Sequence, residues 1–286
     1  MRFILLAMGL FSLVGIVVSS RKAAVAGNVP SVSIYGGTPA LLGEFPYMAY
    51  LELGTDGYFC GGTLISSTHV LTARHCLSAN QSYASTYTVR VNTLELDGST
   101  PGAIARKVKK IILHPNYDIG LLVLRSAVTT IKPIPLPSPL PPTTTKKPGT
   151  TKVPTKITTP FYSCACAPLS EYADMNAVVT GWGYRAPGEP STTALLKTNV
   201  TIHDNSVCIR QYGIGAIDTD HKLCASAPGK DTCGSGDQGG PIIVKGVLVG
   251  TISWDIGCGD PSYVGIYTRI TTYVNWIKKT MTNNPG

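Results

Sequence analysis

Three short segments hold the residues best equipped for chemistry. Thr72-Ala73-Arg74-His75-Cys76 places an imidazole at the end of an apolar run. Asp118-Ile119-Gly120-Leu121-Leu122 places a carboxylate 43 residues further on, and Gly236-Asp237-Gln238-Gly239-Gly240-Pro241 begins 118 residues after Asp118. An imidazole exchanges protons near neutral pH, and a carboxylate can fix its orientation. The other histidines, His69, His114, His203 and His221, lack metal-ligand spacing, so no metal and no cofactor is expected. Asn80-Gln81-Ser82 and Asn199-Val200-Thr201 are acceptor sequences for N-glycosylation at Asn80 and Asn199.

These groups must be positioned by a loop-rich β framework. Of 286 residues 43% are hydrophobic and 14% charged, which excludes wholesale disorder, and 30 Gly with 21 Pro and no heptads exclude a helical bundle. Short β-branched runs recur between turn residues: Tyr47–Leu53, Thr63–Thr72, Tyr87–Asn92, Ile111–Leu113 and Gly120–Leu124. After a gap follow Ala177–Thr180, Leu195–Ile202, Ile242–Val244, Val247–Trp254 and Val264–Ile270. Such spacing predicts a sandwich or barrels. Tyr273, Val274, Trp276 and Ile277 lie at helical spacing in Thr271–Met281 and predict a closing helix.

Residues 1–20 have the layout of a signal peptide, with Arg2, an apolar run too short for a comfortable span, and small residues at the end. Residues 21–33 read as a short propeptide, and the protein as secreted without a membrane span. Eight cysteines then point to disulfides. Residues 137–160 contain eight Thr, seven Pro and four Lys and cannot bury enough surface to fold; the composition is that of a spacer or an O-glycosylated stalk. Of the net charge of +8, three units precede residue 34 and four lie in this insert, so the remainder is nearly neutral and no nucleic-acid partner is expected. The cluster Arg106, Lys107, Lys109 and Lys110 is expected to be a solvated strand edge.

The three segments resemble the trypsin/chymotrypsin family of serine proteases, whose signatures are TAAHC, DIALL and GDSGGP, with Ile34-Tyr35-Gly36-Gly37 in the place of the mature N-terminus. The resemblance runs from Ile34 to about Met281. It implies an all-β fold of two six-stranded antiparallel β-barrels with a C-terminal helix: an N-barrel at 34–136, the insert at 137–160, a C-barrel and helix at 161–281, and a tail at 282–286. It also implies disulfides Cys60–Cys76, Cys208–Cys224 and Cys233–Cys258, and leaves Cys164 and Cys166 without a family partner.

By the same resemblance His75 is the general base and Asp118 its orienting acid. The nucleophile position holds Gln238, whose carboxamide has no ionisable proton. The N–H groups of Gly236 and Gln238 match an oxyanion hole. Asp231, Ser253, Trp254, Asp255 and Gly265 match a specificity pocket with an acidic floor; Ile34 and Asp237 match the pair joined on zymogen activation. Departures accompany Gln238. Cys233-Gly234-Ser235-Gly236 has one extra residue, Arg74 replaces a small residue and is expected to be buried, Asp255 replaces Gly, and the loop before Asp118 is short.

The expectation is therefore a secreted homologue that is not an enzyme, a decoy or cofactor binding a protease, an inhibitor or a cascade component. One alternative is an active trypsin-like endopeptidase cleaving after Arg or Lys, through Ser235. Another is an adhesive or matrix protein acting through the Thr/Pro segment. No sequence feature sets the oligomeric state.

Overall fold

The computed structural model describes residues 34, 36–54, 58–139, 171–183, 192–232, 236–254, 256, 260 and 262–286. Cys164, Cys166, Cys233, Cys258, Ser235, Asp255, the leader, the propeptide and nearly all of the Thr/Pro insert lie outside them.

The described chain opens on a two-residue strand, β1 (Thr38–Pro39). Six strands then close a barrel: β2 (Met48–Leu53), β3 (Tyr58–Ser66), β4 (His69–Thr72), β5 (Tyr87–Val91), β6 (Ile104–Leu113) and β7 (Gly120–Leu124), in the order β2-β3-β4-β7-β6-β5. All pairings are antiparallel, and β5 returns to β2 with Ala49 opposite Val91. The strands form because apolar residues alternate where one face is buried. Tyr87, Val89 and Val91 point into the core while Thr88 and Arg90 are only partly covered.

The second barrel comprises β8 (Asn176–Gly181), β9 (Leu196–His203), β10 (Lys222–Ser226), β11 (Pro241–Val244), β12 (Val247–Trp254) and β13 (Gly265–Arg269). Their order is β9-β10-β13-β12-β11-β8; β8 pairs back to β9, and β1 adds to β9 at Thr38–Lys197. Two antiparallel six-stranded barrels, few helices and a C-terminal helix are thus the architecture. Helix α1 (Asn205–Tyr212), capped by Asp204 accepting from the Ser206 N–H at 2.9 Å, was not expected. Helix α2 (Ile270–Asn283) buries Ile270, Tyr273, Val274 and Ile277, and extends past residue 282 into the expected tail.

Two apolar layers join the barrels. One combines Leu71, Ile119 and Leu121 of the first barrel with Ile243 and Leu248 of the second and the buried face of α2. The other centres on Trp182, fully buried, whose ring meets Tyr50 edge-on at 5.5 Å and whose Nε1–H donates to the Leu94 carbonyl at 2.8 Å. Each fully buried Leu or Ile contributes about 1.5–3 kcal/mol of transfer free energy. Leu71 and Leu121 carry the position of the barrel seam directly to the segments that bear His75 and Asp118.

Two expectations need correction. Thr63–Thr72 is not one strand, because a turn at Ser67–Thr68 divides β3 from β4. Nor do Arg106, Lys107, Lys109 and Lys110 line a strand edge. Their strand, β6, pairs with β5 on one side and β7 on the other, and a closed barrel leaves it no edge. A register shift between Val108 and Lys110 turns both Lys109 and Lys110 outward.

Candidate functional site

His75 sits in a single 3₁₀ turn, Arg74–Cys76, just after β4, and the Cys60–Cys76 disulfide ties that turn to β3. Asp118 immediately precedes Ile119 and β7. Because β4 and β7 are paired, with Thr72 opposite Gly120, the two segments emerge side by side. His75 Nδ1 lies 3.0 Å from Asp118 Oδ1 and 3.1 Å from Oδ2, and the His75 backbone N–H donates to Oδ1 at 3.1 Å. The ring and the carboxylate are held at three points, and the imidazole side chain remains 41% exposed.

Gln238 comes from the second barrel and is seated by its glycines. Its carbonyl accepts from the Gly61 N–H at 2.7 Å, and Gly239 has φ +84°. A Cβ on Gly239 would overlap Thr72 Oγ1 and the Gly61 carbonyl, so the turn requires glycine. The carboxamide Oε1 lies 2.9 Å from His75 Nε2. Among the described residues the N–H groups of Gly236 and Gln238 have no hydrogen-bond acceptor.

The opposite side of Asp118 is also occupied. Ser253, 2% exposed, donates its Oγ–H to Asp118 Oδ2 at 2.5 Å, and Thr268 Oγ1 donates to the Asp118 carbonyl at 2.9 Å. Lys222 Nζ donates to Ser253 Oγ at 2.8 Å and to Thr268 Oγ1 at 3.1 Å. Burial disfavours the Asp118 anion, but the hydrogen bonds and charge of His75 and the bond from Ser253 outweigh it and hold the carboxyl at about 2. The bond to Asp118 lifts the His75 imidazole above its ordinary range against its own burial; the Asp118 charge and Gln238 add to this, and Lys222 opposes it.

A cavity of about 510 Å³ opens beside the ring, lined by Arg74, His75, Leu113, Asn116, Tyr117 and Asp118 among others. The Asp118 side chain keeps 22% exposure through it. Arg74 is a third correction: its side chain is partly exposed on this rim, not buried.

Asp231, 3% exposed, accepts from the Thr232 N–H at 2.8 Å and lies 3.3 Å from where a Gly265 Cβ would stand. It lines a cavity of about 440 Å³ with His203, Gly229, Lys230, Asp260 and Tyr263, and that lining does not include Ser253, Trp254 or Gly265. Trp254 packs edge-on against Tyr212 at 5.1 Å. The structure therefore brings Asp231 and Gly265 together, places the Ser253 hydroxyl on Asp118, and leaves Asp255 outside the described residues.

Ile34 is fully buried in the second-barrel core. Asp237 is also fully buried and accepts from the Gly183 N–H at 2.7 Å. Cys208 and Cys224 are bonded, and Cys233–Cys258 lies outside the described residues. Asn80 is exposed and caps a 3₁₀ turn by accepting from the Ser82 N–H, and Asn199 is exposed on β9. The one group of metal-ligand atoms among the described residues joins His75 to Cys60 and Cys76, whose sulfurs are already spent on their disulfide. No helix of the described residues is long and apolar enough to cross a membrane.

Sequence reasoning missed Lys222 altogether and did not anticipate the bond from Ser253 to Asp118. Lys222 opens β10 and Ser253 lies near the end of β12, and the only sequence signal is a lysine in front of Leu223, Cys224 and Ala225.

A family model described as Trypsin matches residues 34–277. Among curated relatives the chain is 34% identical to Trypsin Blo t 3 of Blomia tropicalis over 90% of both chains. It is 33% identical to Trypsin-1 of Astacus astacus, covering 86% of this chain and 98% of that one, and 33% identical to Trypsin II-P29 of Gallus gallus, covering 93% and 97%. Among solved structures it is similar to neuropsin, a serine protease expressed in the limbic system of mouse brain, with a TM-score of 0.67 and 29% identity over 86% of this chain and 98% of that one. These matches overturn the expectation that the chain is not an enzyme, because relatives aligned along nearly its whole length are named trypsins.

Proposed function

We propose, since the chain belongs to the trypsin family of serine proteases, that it acts on polypeptides as a trypsin-like endopeptidase of low turnover, taking an arginine or lysine side chain toward Asp231. The observation that carries this is the Asp118–His75 pair, assembled at 3.0 Å between the barrels and aimed at residue 238. The buried carboxylate of Asp231 beside Gly265 supports the choice of a cationic side chain, and so do the names of the relatives. The partner is accordingly a protein substrate or inhibitor. The two disulfides support an extracellular setting.

Gln238 dictates the low turnover. A carboxamide gives His75 no proton and forms no acyl-enzyme, and loss of the serine from such a triad costs on the order of 10⁶ in turnover. The remaining route is direct hydrolysis. A water oxygen bonds to the scissile carbonyl carbon while His75 Nε2 takes its proton. The imidazolium then returns that proton to the leaving amine as the C–N bond breaks. The Gly236 and Gln238 N–H groups stabilise the oxyanion, and binding plus such donors retains roughly 10³–10⁴-fold over water. The Gln238 carboxamide must first leave Nε2, which slows the step further. Slow cleavage would leave bound inhibitors or substrates in the cleft longer than a fast enzyme does.

The test is binding of benzamidine and of an arginine-containing trypsin inhibitor by calorimetry, for the natural protein and for Asp231→Asn. Binding that weakens at least tenfold in Asp231→Asn is expected. Equal binding by both, or none by either, contradicts the assignment of the pocket.

A further inference from the structure

A half-buried lysine sits behind the His75–Asp118 pair. Lys222, the first residue of β10, reaches across β13 toward β12, and its ammonium donates to Ser253 Oγ at 2.8 Å and Thr268 Oγ1 at 3.1 Å. Each hydroxyl has a single hydrogen, and both spend it on Asp118: Ser253 on the carboxylate, Thr268 on the main-chain carbonyl. An ammonium has donors and no acceptor, so a hydroxyl beside it must present a lone pair and turn its own hydrogen away. Lys222 thereby fixes the direction of both hydroxyls. The result is one oriented chain, Lys222 to Ser253 to Asp118 to His75, in which each bond polarises the next.

We infer that Lys222 is a positioning residue for the His75–Asp118 pair: through the Ser253 and Thr268 hydroxyls its ammonium holds the Asp118 carboxylate against His75 Nδ1, and its charge sets how readily the imidazole keeps a proton. The groups acting on His75 are Asp118 just before β7, Lys222 from β10 and the neutral Gln238 from the second barrel, while Arg74 of its own turn lines the same cavity. Those acting on Lys222 are Asp118 and Asp218. Burial pushes the Lys222 ammonium below its ordinary range, and these two carboxylates pull it back toward keeping its charge. Removing that positive charge leaves Asp118 less neutralised and the imidazolium better stabilised.

The experiment is an NMR titration of the His75 ring in the natural protein and in Lys222→Met, Lys222→Gln and Lys222→Arg. It reads the ring itself, so it stands apart from whether peptides are cleaved. The two neutral variants should raise the His75 midpoint by about 0.5–1 pH unit, whereas Lys222→Arg, which restores the charge, should stay within about 0.2 unit of the natural protein. Lys222→Gln separates charge from hydrogen bonding, since its amide still donates to the hydroxyls. Unchanged or lowered midpoints in both neutral variants would overturn the inference. Failure of both to fold would overturn it too, making Lys222 a residue of barrel stability instead.

Discussion

The Gln238 carboxamide oxygen faces His75 Nε2 at 2.9 Å, while Asp118 accepts from Nδ1 at 3.0 Å. With the carboxamide oxygen so placed, a proton on both ring nitrogens satisfies both acceptors. Both contacts favour the protonated ring, which works against a base that must accept a proton.

The first prediction concerns that proton. The folded-state pKa of His75 is raised above its ordinary value, chiefly by the bond to Asp118, so the stabilisation is fully present below the unfolded pKa near 6.5 and is lost as pH rises through the folded value. Melting temperature measured from pH 6 to 9 should fall on the alkaline side of that window. Gln238→Ala should narrow it by lowering the His75 midpoint. A midpoint unaffected by Gln238→Ala would show that Oε1 does not hold the proton.

Asp118 titrates in the other direction. Its carboxyl, at about 2 against an ordinary 3.8, contributes stability that is present above about pH 4 and disappears as pH falls through 2. Asp118→Asn should abolish this acid-range dependence, cost about 1–3 kcal/mol in urea unfolding, and bring the His75 midpoint down toward 6.5. An unchanged His75 midpoint would contradict the pairing.

Gly239→Ala should be costly, because φ +84° and the overlap of a Cβ with Thr72 Oγ1 and the Gly61 carbonyl act together. A loss of about 2 kcal/mol or more in urea unfolding is expected, with displacement of the Gln238 turn. Stability within about 0.5 kcal/mol of the natural protein would show that the turn has room to spare.

Leu121→Ala probes the seam. Leu121 is fully buried in the layer shared by both barrels and α2, so its truncation should cost about 2–5 kcal/mol. Since Asp118 is three residues away, the loss should be accompanied by a shift of the His75 ring resonances. Stability loss without that shift would mean the seam and the site are independent.

What was legible depended on the range of the interaction. The runs around Tyr87–Asn92 and Val247–Trp254 announced strands because a β surface buries alternate or β-branched residues locally. That the strands close as two barrels came from the resemblance of the His75, Asp118 and Gln238 segments to a family, since periodicity alone allowed a sandwich. The break at Ser67–Thr68 stayed hidden because apolar residues continue on both sides of it. Lys222 could not be read at all: it meets Ser253 across 31 residues and Asp118 only through that hydroxyl, and a lysine at a strand start normally signals solvent. Arg74 failed for a related reason. Its side chain lines a cavity beside the His75 ring where tight packing was assumed.

The central claim is that this is a trypsin-type cleft whose turnover is limited by residue 238. It is tested most directly by hydrolysis of an arginine peptide substrate, for the natural protein and for Gln238→Ser, with both N-termini sequenced to begin at Ile34. The account predicts slow turnover by the natural protein and a rise of at least about 10³-fold in kcat for Gln238→Ser, along with labelling of the new serine by a fluorophosphonate. Equal rates in the two proteins, with Gln238→Ser folded and its terminus correctly cut, would contradict it.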